Sequence, residues 1–200
     1  MIDEIKFNDE LTIYRTNIKV EEVETLLKDI RYNLNISNDT TYPSKKQPGI
    51  QSTIFIETPT IKSLREKIIE TIFTLFGYGE NTPYFTKQWS YISSSKNNYL
   101  GWHDHKENKY ISVTPKWTYT YYVQMPDNLD GQDGKLLFKT SKDEIFDILP
   151  QEGDLIIFPA TVLHAPMLNT HSTKDRVVYA GVFSDIDTSI QVKKEKKSII

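Results

Sequence analysis

A mainly β domain with flanking helices, built as a sandwich or barrel, is the fold class this sequence predicts. Three observations carry the prediction. After Pro83 the chain breaks into short runs rich in β-branched and aromatic residues, separated by turn signals and without a helical period. Before Pro83, two segments instead place apolar residues three and four apart, as amphipathic helices do. The aromatic set is large, with 12 Tyr, 9 Phe and 3 Trp in 200 residues, and such residues favour strands.

Taken in order, residues 4–15 carry Ile5, Phe7, Leu11, Ile13 and Tyr14 and predict one or two short strands. Residues 20–34 align Val20, Val23, Leu26, Leu27, Ile30 and Leu34 on one helical face. Residues 36–51 are polar, contain Pro43, Pro48 and Gly49, and predict a loop. Gln51 to Glu57 predicts a strand. A second helix is expected with Thr60 as its cap, Ile61, Leu64, Ile68, Ile69, Ile72 and Leu75 as its apolar stripe, and Gly77 as its stop. Strands follow at Tyr84–Ser93, Trp117–Met125, Lys135–Thr140, Ile145–Leu149, Asp154–Phe158 and Val177–Phe183, with turn signals at Pro126-Asp127, Asp130-Gly131, Asp133-Gly134, Pro150 and Gly153. With no repeat and no clear linker, residues 1–200 predict one domain: an N-terminal helix and strand layer over 1–83, a β core over 84–185 and a solvated tail over 186–200.

Composition narrows the partners. A net charge of −3 argues against a dominant phosphate-binding footprint, so nucleic acid is not an expected partner. The absence of cysteine removes disulfides, thiolate metal sites and a cysteine nucleophile, and fits a cytoplasmic protein. No signal peptide is visible at Met1–Lys6, and no apolar stretch approaches a membrane span.

Chemistry concentrates on the histidines, of which there are four. His103 and His105 stand two apart in Gly101-Trp102-His103-Asp104-His105; on a strand they would share a face while Asp104 points away. Imidazoles so placed can share one metal ion, with a third ligand arriving from another strand, as in non-haem iron(II) sites. His164 follows the run Gly153-Asp154-Leu155-Ile156-Ile157-Phe158-Pro159, where a turn, an apolar strand and a Pro can deliver that third ligand at a loop edge. A lone His-x-His more often marks two surface histidines, and a lone His164 a satisfied structural one; the combination carries the inference. His171 lies in a polar stretch and is expected to be exposed.

Arg176 opens the apolar run Arg176-Val177-Val178-Tyr179-Ala180. A charge there is costly to bury unpaired, so it either sits at an exposed strand end beside Asp175 or Asp185, or meets a ligand carboxylate bidentately. Tyr122 shares a strand face with Thr118 and Thr120 and is either a core residue or a second donor to that carboxylate.

Taken together, His103-x-His105, Tyr121-Tyr122-Val123, Asp133-Gly134-Lys135-Leu136, Pro150-x-x-Gly153-Asp154-Leu155, Phe158-Pro159, His164 and Arg176 resemble the 2-oxoglutarate and Fe(II)-dependent oxygenases over residues 84–184. Trp89 matches the first Trp of the branch with a His-x-His pattern, and the order of motifs also resembles prolyl-hydroxylase-like enzymes. The resemblance implies a double-stranded β-helix, the cupin-type jelly-roll, with N-terminal helices on its core. It implies Fe(II) held by His103, His105 and His164, and 2-oxoglutarate contacted by Arg176, Tyr122 and Leu136. It implies a hydroxylase that consumes O2, converts 2-oxoglutarate to succinate and CO2, and acts on a peptide, amino acid or other small substrate. A homodimer is compatible with it.

One departure stands out. Most of the superfamily has Asp or Glu where this chain has His105, which leaves three neutral ligands. Three alternatives therefore stay open: Asp104 as the ligand on a bulged strand, a three-His dioxygenase that does not use 2-oxoglutarate, and a non-catalytic jelly-roll binding module. The loop over 106–115, with Trp102, Tyr110 and Trp117 near it, is expected to overhang the site as a lid or recognition surface, with the 36–51 loop as another wall.

Overall fold

Period-two patterning explains how the strands sort their side chains. In Trp117–Gln124, Tyr119, Tyr121 and Val123 pack towards the helices, while Thr118, Thr120 and Tyr122 face the opposite way. The computed structural model describes residues 1–36, 50–52, 56–93, 101–106 and 114–186. Its elements are β1 (Asp3–Lys6), β2 (Thr12–Asn17), α1 (Val23–Ile36), β3 (Ile50–Gln51), α2 (Pro59–Phe76), β4 (Tyr84–Ser93), β5 (Trp117–Gln124), β6 (Leu136–Lys139), β7 (Ile145–Ile148), β8 (Asp154–Pro159), β9 (Leu163–Pro166) and β10 (Arg176–Asp185).

Among the described residues, ten strands form two antiparallel sheets. The larger runs β1-β2-β8-β5-β10-β4-β3 and the smaller β7-β6-β9. The two helices cover the outer face of the larger sheet. Leu26, Ile30, Ile61, Leu64, Ile68 and Ile72 are buried there against Tyr119, Leu155, Ile157 and Tyr179. Each such Leu or Ile contributes roughly 1.5–3 kcal/mol on burial, which makes this layer the main anchor of the helices. A second core, with Leu11, Ile13, Phe138, Ile156 and Phe158, fills the space between the sheets. The result is the jelly-roll with a helical layer that the sequence predicts.

Boundaries differ in informative ways. Helix α2 is capped by Thr58, whose hydroxyl accepts from Ile61 N at 3.4 Å, and not by Thr60; Pro59 follows the cap, where its missing N–H costs nothing. Both threonine hydroxyls instead donate to Asp29 of α1, which ties the helices together. Gly77 closes α2 in the left-handed region (φ 67°), as its position suggests. Leu75, assigned to the apolar stripe, is only partly buried at the helix end. Of the strand expected over 51–57, Ile50–Gln51 pairs with β4, and residues 53–55 lie outside the described residues.

Strand β9 forms where the sequence predicts a loop edge. Leu163–Pro166 is four residues long and ends in Pro, which hides its pattern; pairing with β6 makes it a strand. Strand β10 runs the length of the larger sheet between β4 and β5, and all but its last residue are buried. Gly181 on that strand has a steric cause: a side chain there would meet the Tyr119 hydroxyl and come within 2.7 Å of the Lys87 carbonyl.

Candidate active site

The inner face of the larger sheet forms the floor of a cavity whose rows follow from strand register. Arg176 pairs with Ser93 at one end. The next inward-facing row is Tyr91, Val178 and Tyr122, and the following one Trp89, Ala180 and Thr120. A register shift between Val177 and Val178 places two β5 residues opposite one step of β10, next to Tyr122. Bulges of this kind re-aim side chains beside binding sites. Leu136 and Pro166 of the smaller sheet line the opposite side.

His103, His105 and His164 line the same cavity, and one ring nitrogen from each lies within 4.8 Å of the other two. Ring centroids are 4.2 Å apart for His103 and His164, 5.1 Å for His105 and His164, and 5.2 Å for His103 and His105. The backbone that achieves this is not the regular strand expected for His103-x-His105. Only His103 is in β pairing, through a single bridge to His164, while His105 N donates to the Ala160 carbonyl at 2.8 Å. The two rings still reach one point because each segment end is pinned to the β8–β9 connection.

Hydrogen bonds set the tautomers. His103 Nδ1 donates to the Gly101 carbonyl at 2.8 Å, and His164 Nδ1 to the Val162 carbonyl at 3.0 Å. Each ring then presents the bare lone pair of its Nε2, the state a metal requires. His105 has its ring 5.3 Å from Trp89. Burial lowers the pKa of all three: His103 falls, His164 falls well below the usual imidazole range with help from its two neighbours, and His105 drops to about 4. At neutral pH the cluster is therefore uncharged. The three residues fit a divalent cation in donor type and convergence, and His103 and His164 also in tautomer.

Asp104 is not part of this convergence. Its carboxylate pairs with Lys106 Nζ at 3.2 Å and accepts from Lys106 N at 3.4 Å, so the alternative of an Asp104 ligand is not what the geometry offers. His171 is exposed, as its sequence context suggests.

Arg176 is 2% exposed, which removes the exposed-strand-end reading. Its two candidate partners are engaged elsewhere: Asp175 with Arg31 at 3.2 Å, and Asp185 with Lys116. Nη1 donates to the Met167 carbonyl at 3.0 Å, but Nη2 is buried with no hydrogen-bond partner among the described residues. A buried guanidinium with an unused donor costs energy unless a ligand meets it. Tyr122 is 2% exposed, and burial pushes its hydroxyl pKa far up, opposed by the Arg176 charge. Its phenol therefore remains a neutral donor.

Tyr91 also lines the cavity, a position that no sequence motif marks. It shares the inward face of β4 with Trp89, so the period of two was the available signal. Thr118, 1% exposed, also lines the cavity with a hydroxyl that has no partner among the described residues. Trp117 is a packing residue: it stacks on Phe76 of α2 with centroids 4.0 Å apart, on the helical side of the sheet. Trp102 is half-buried beside His103 and does not line the cavity. Residues 107–113 of the expected lid, including Tyr110, residues 37–49 of the second loop, and the tail from 187 on lie outside the described residues.

No family model matches the chain, and no curated protein matches its sequence. Solved structures do match its fold. A prolyl-4-hydroxylase from Pseudomonas putida aligns with a TM-score of 0.66 at 11% identity, over 88% of this chain and 93% of that one. The collagen prolyl hydroxylase of Paramecium bursaria Chlorella virus-1, in complex with 2-oxoglutarate, gives 0.61 at 14% identity over 87% and 96%. The α-ketoglutarate-dependent carbocyclase SnoK of nogalamycin biosynthesis gives 0.67 at 12% identity over 89% and 81%. The fold is thus that of the 2-oxoglutarate oxygenases, the double-stranded β-helix that the sequence motifs imply. Among the described residues, no helix is long and apolar enough to cross a membrane.

Proposed function

We propose that the protein is a 2-oxoglutarate and Fe(II)-dependent oxygenase that hydroxylates a C–H bond. One observation carries the reading: three neutral imidazoles converge in a cavity that also holds a buried guanidinium with an unused donor. The first group suits a divalent metal and the second a carboxylate, and a 2-oxo dicarboxylate can engage both at once.

His103, His105 and His164 would hold the iron, with the Gly101 and Val162 carbonyls fixing two of the rings. Bound iron supplies the oxidising chemistry that turns O2 and 2-oxoglutarate into CO2 and succinate while a substrate C–H becomes C–OH. The chain's own work is positioning. Arg176 Nη2 and the Tyr122 hydroxyl receive the distal carboxylate. Leu136, Val178 and Pro166 keep the space between that carboxylate and the metal dry, which strengthens each polar contact. Trp89, against His105, bounds the metal side of the cavity.

The substrate is a peptide, an amino acid or another small molecule. The structures similar in fold include a collagen prolyl hydroxylase and a carbocyclase, so fold alone does not choose among them. The test is direct: protein with Fe(II) and O2 should convert 2-oxoglutarate to succinate, and Arg176→Ala should abolish metal-dependent binding of N-oxalylglycine. Protein that binds neither compound sinks the proposal.

A second reading is favoured by His105, which stands where a carboxylate is usual. In a three-His dioxygenase that does not use 2-oxoglutarate, Arg176 would bind the substrate's own carboxylate. Metal-dependent binding of N-oxalylglycine that disappears in Arg176→Ala rules against it.

A further inference from the structure

We infer that this metal site is conditional: it holds a divalent cation tightly only together with a dianionic 2-oxo acid, because no carboxylate lines it among the described residues. The inference rests on the function proposed above and concerns how the same site is regulated.

Three features lead to it. All three converging ligands are imidazoles, and two have their Nδ1–H committed to backbone carbonyls, so they enter the site as neutral donors. The carboxylate nearest in sequence, Asp104, pairs with Lys106 and does not join the converging nitrogens. Among the described residues, the cavity lining contains no Asp and no Glu, yet it contains Arg176, 2% exposed and bonded only to the Met167 carbonyl.

The charge count follows. The cavity carries +1 from Arg176 before any metal enters, and +3 with a divalent cation. A net charge in a buried space is costly, and here nothing in the described lining offsets it. A dianionic 2-oxo acid brings −2, with one carboxylate at the metal and the other at Arg176, and reduces the total to +1. Were residue 105 an Asp, the metal-loaded cavity would stand at +2 without the acid and at zero with it. The wild-type site therefore gains more from the anion, measured against holding the metal alone. Linkage makes the effect reciprocal: the acid tightens the metal by the same factor by which the metal tightens the acid. The expected consequence is a protein that loads metal in step with the supply of its co-substrate.

The experiment measures Mn(II) dissociation constants on the full chain by calorimetry, with and without saturating N-oxalylglycine, for wild type and His105→Asp. In wild type, N-oxalylglycine should tighten Mn(II) by about 100-fold, towards the top of the usual range for coupled sites. His105→Asp should bind Mn(II) alone at least about 10-fold more tightly than wild type, and its tightening by N-oxalylglycine should be about 10-fold smaller. Equal tightening in the two proteins, or wild-type Mn(II) binding indifferent to N-oxalylglycine, overturns the inference. If His105→Asp does not fold, as judged by circular dichroism, wild type is compared with pyruvate, a 2-oxo monoanion that cannot reach Arg176. Coupling at least about 10-fold weaker than with N-oxalylglycine supports the inference, and equal coupling overturns it. N-oxalylglycine that binds metal-loaded protein without this coupling leaves the oxygenase reading standing. N-oxalylglycine that never binds removes both.

Discussion

His103 and His164 exchange backbone hydrogen bonds in both directions, His103 N to the His164 carbonyl at 3.1 Å and His164 N to the His103 carbonyl at 2.9 Å. This bridge joins a segment that is otherwise irregular to β9 and faces the two imidazoles towards each other. Because the backbone makes the bridge, removal of either side chain should spare it. His103→Ala and His164→Ala should keep native circular dichroism yet lose Mn(II) affinity by at least about 100-fold, more than the loss of an outer-shell partner costs. Retention of wild-type affinity by either variant in a calorimetric titration would remove that residue from the site.

Arg176 separates stability from binding. Among the described residues its buried guanidinium has one bond and no counter-charge, so a shape-matched apolar residue should be tolerated or preferred in the empty protein. Arg176→Met should leave the apoprotein as stable as wild type or more stable, by up to about 2 kcal/mol. The same change should weaken N-oxalylglycine binding by roughly 2–4 kcal/mol, the usual loss when a buried hydrogen-bonded charge pair is broken. Urea denaturation and calorimetry measure the two effects separately, and a variant that is destabilised while still binding the analogue would contradict both.

The buried histidines make stability pH-dependent. In the unfolded chain each has a pKa near 6.5; in the fold all three are lower, and His105 is at about 4. Between those values the unfolded state binds more protons, so stability rises with pH. The contribution is complete above about pH 6.5 and is lost as pH falls towards 4. From His105 alone the apoprotein should lose roughly 1 kcal/mol per pH unit within that window, and the lowered values of His103 and His164 add to the loss in the same direction. Urea midpoints measured from pH 7.5 to 4.5 should fall accordingly, and His105→Asn should flatten the slope. A flat profile in wild type would show that the rings protonate freely in the fold.

Asp127 holds the loop that leads into Arg176. Its carboxylate accepts from Ser172 Oγ at 2.7 Å, Thr173 N at 2.7 Å, Thr173 Oγ1 at 2.6 Å and Lys174 N at 3.2 Å, and these bonds lower its pKa strongly. Asp127→Ala should lower the melting temperature by a few degrees and speed hydrogen exchange at the Thr173 and Lys174 amides. Unchanged exchange at those two amides would mean that the loop is held by other contacts.

Gly181→Ala should be severe. The added methyl would meet the Tyr119 hydroxyl and the Lys87 carbonyl, and the latter belongs to a paired strand that cannot step aside. A loss of about 2–3 kcal/mol is expected from overpacking of this kind, read as a lower urea midpoint. Tyr119→Phe in the same background should recover only part of it, since the ring carbon and the carbonyl remain.

Local chemistry alone determined a good part of this protein. Period-two and period-3.6 patterns placed both helices and most of the strands, because a side chain's face is decided within a few residues of backbone. The ordered motifs from His103 to Arg176 pointed to the three histidines that converge in the fold, and the Tyr122 face followed from its neighbours Thr118 and Thr120. Tertiary structure decided the rest. Strand β9 exists because β6 pairs with it, from Leu136 against Pro166 to Lys139 against Leu163, a contact too distant in sequence for any local pattern to encode. The choice between an exposed and a buried Arg176 depended on where Asp175 and Asp185 found their partners, which are Arg31 and Lys116. His105 and Asp104 are adjacent in an irregular segment, so local pattern does not say which faces the cavity; in the fold His105 N bonds to Ala160 and Asp104 pairs with Lys106, which leaves His105 as the one that joins the converging nitrogens. Local sequence fixes which way a side chain can point, and only the completed fold fixes what it finds there.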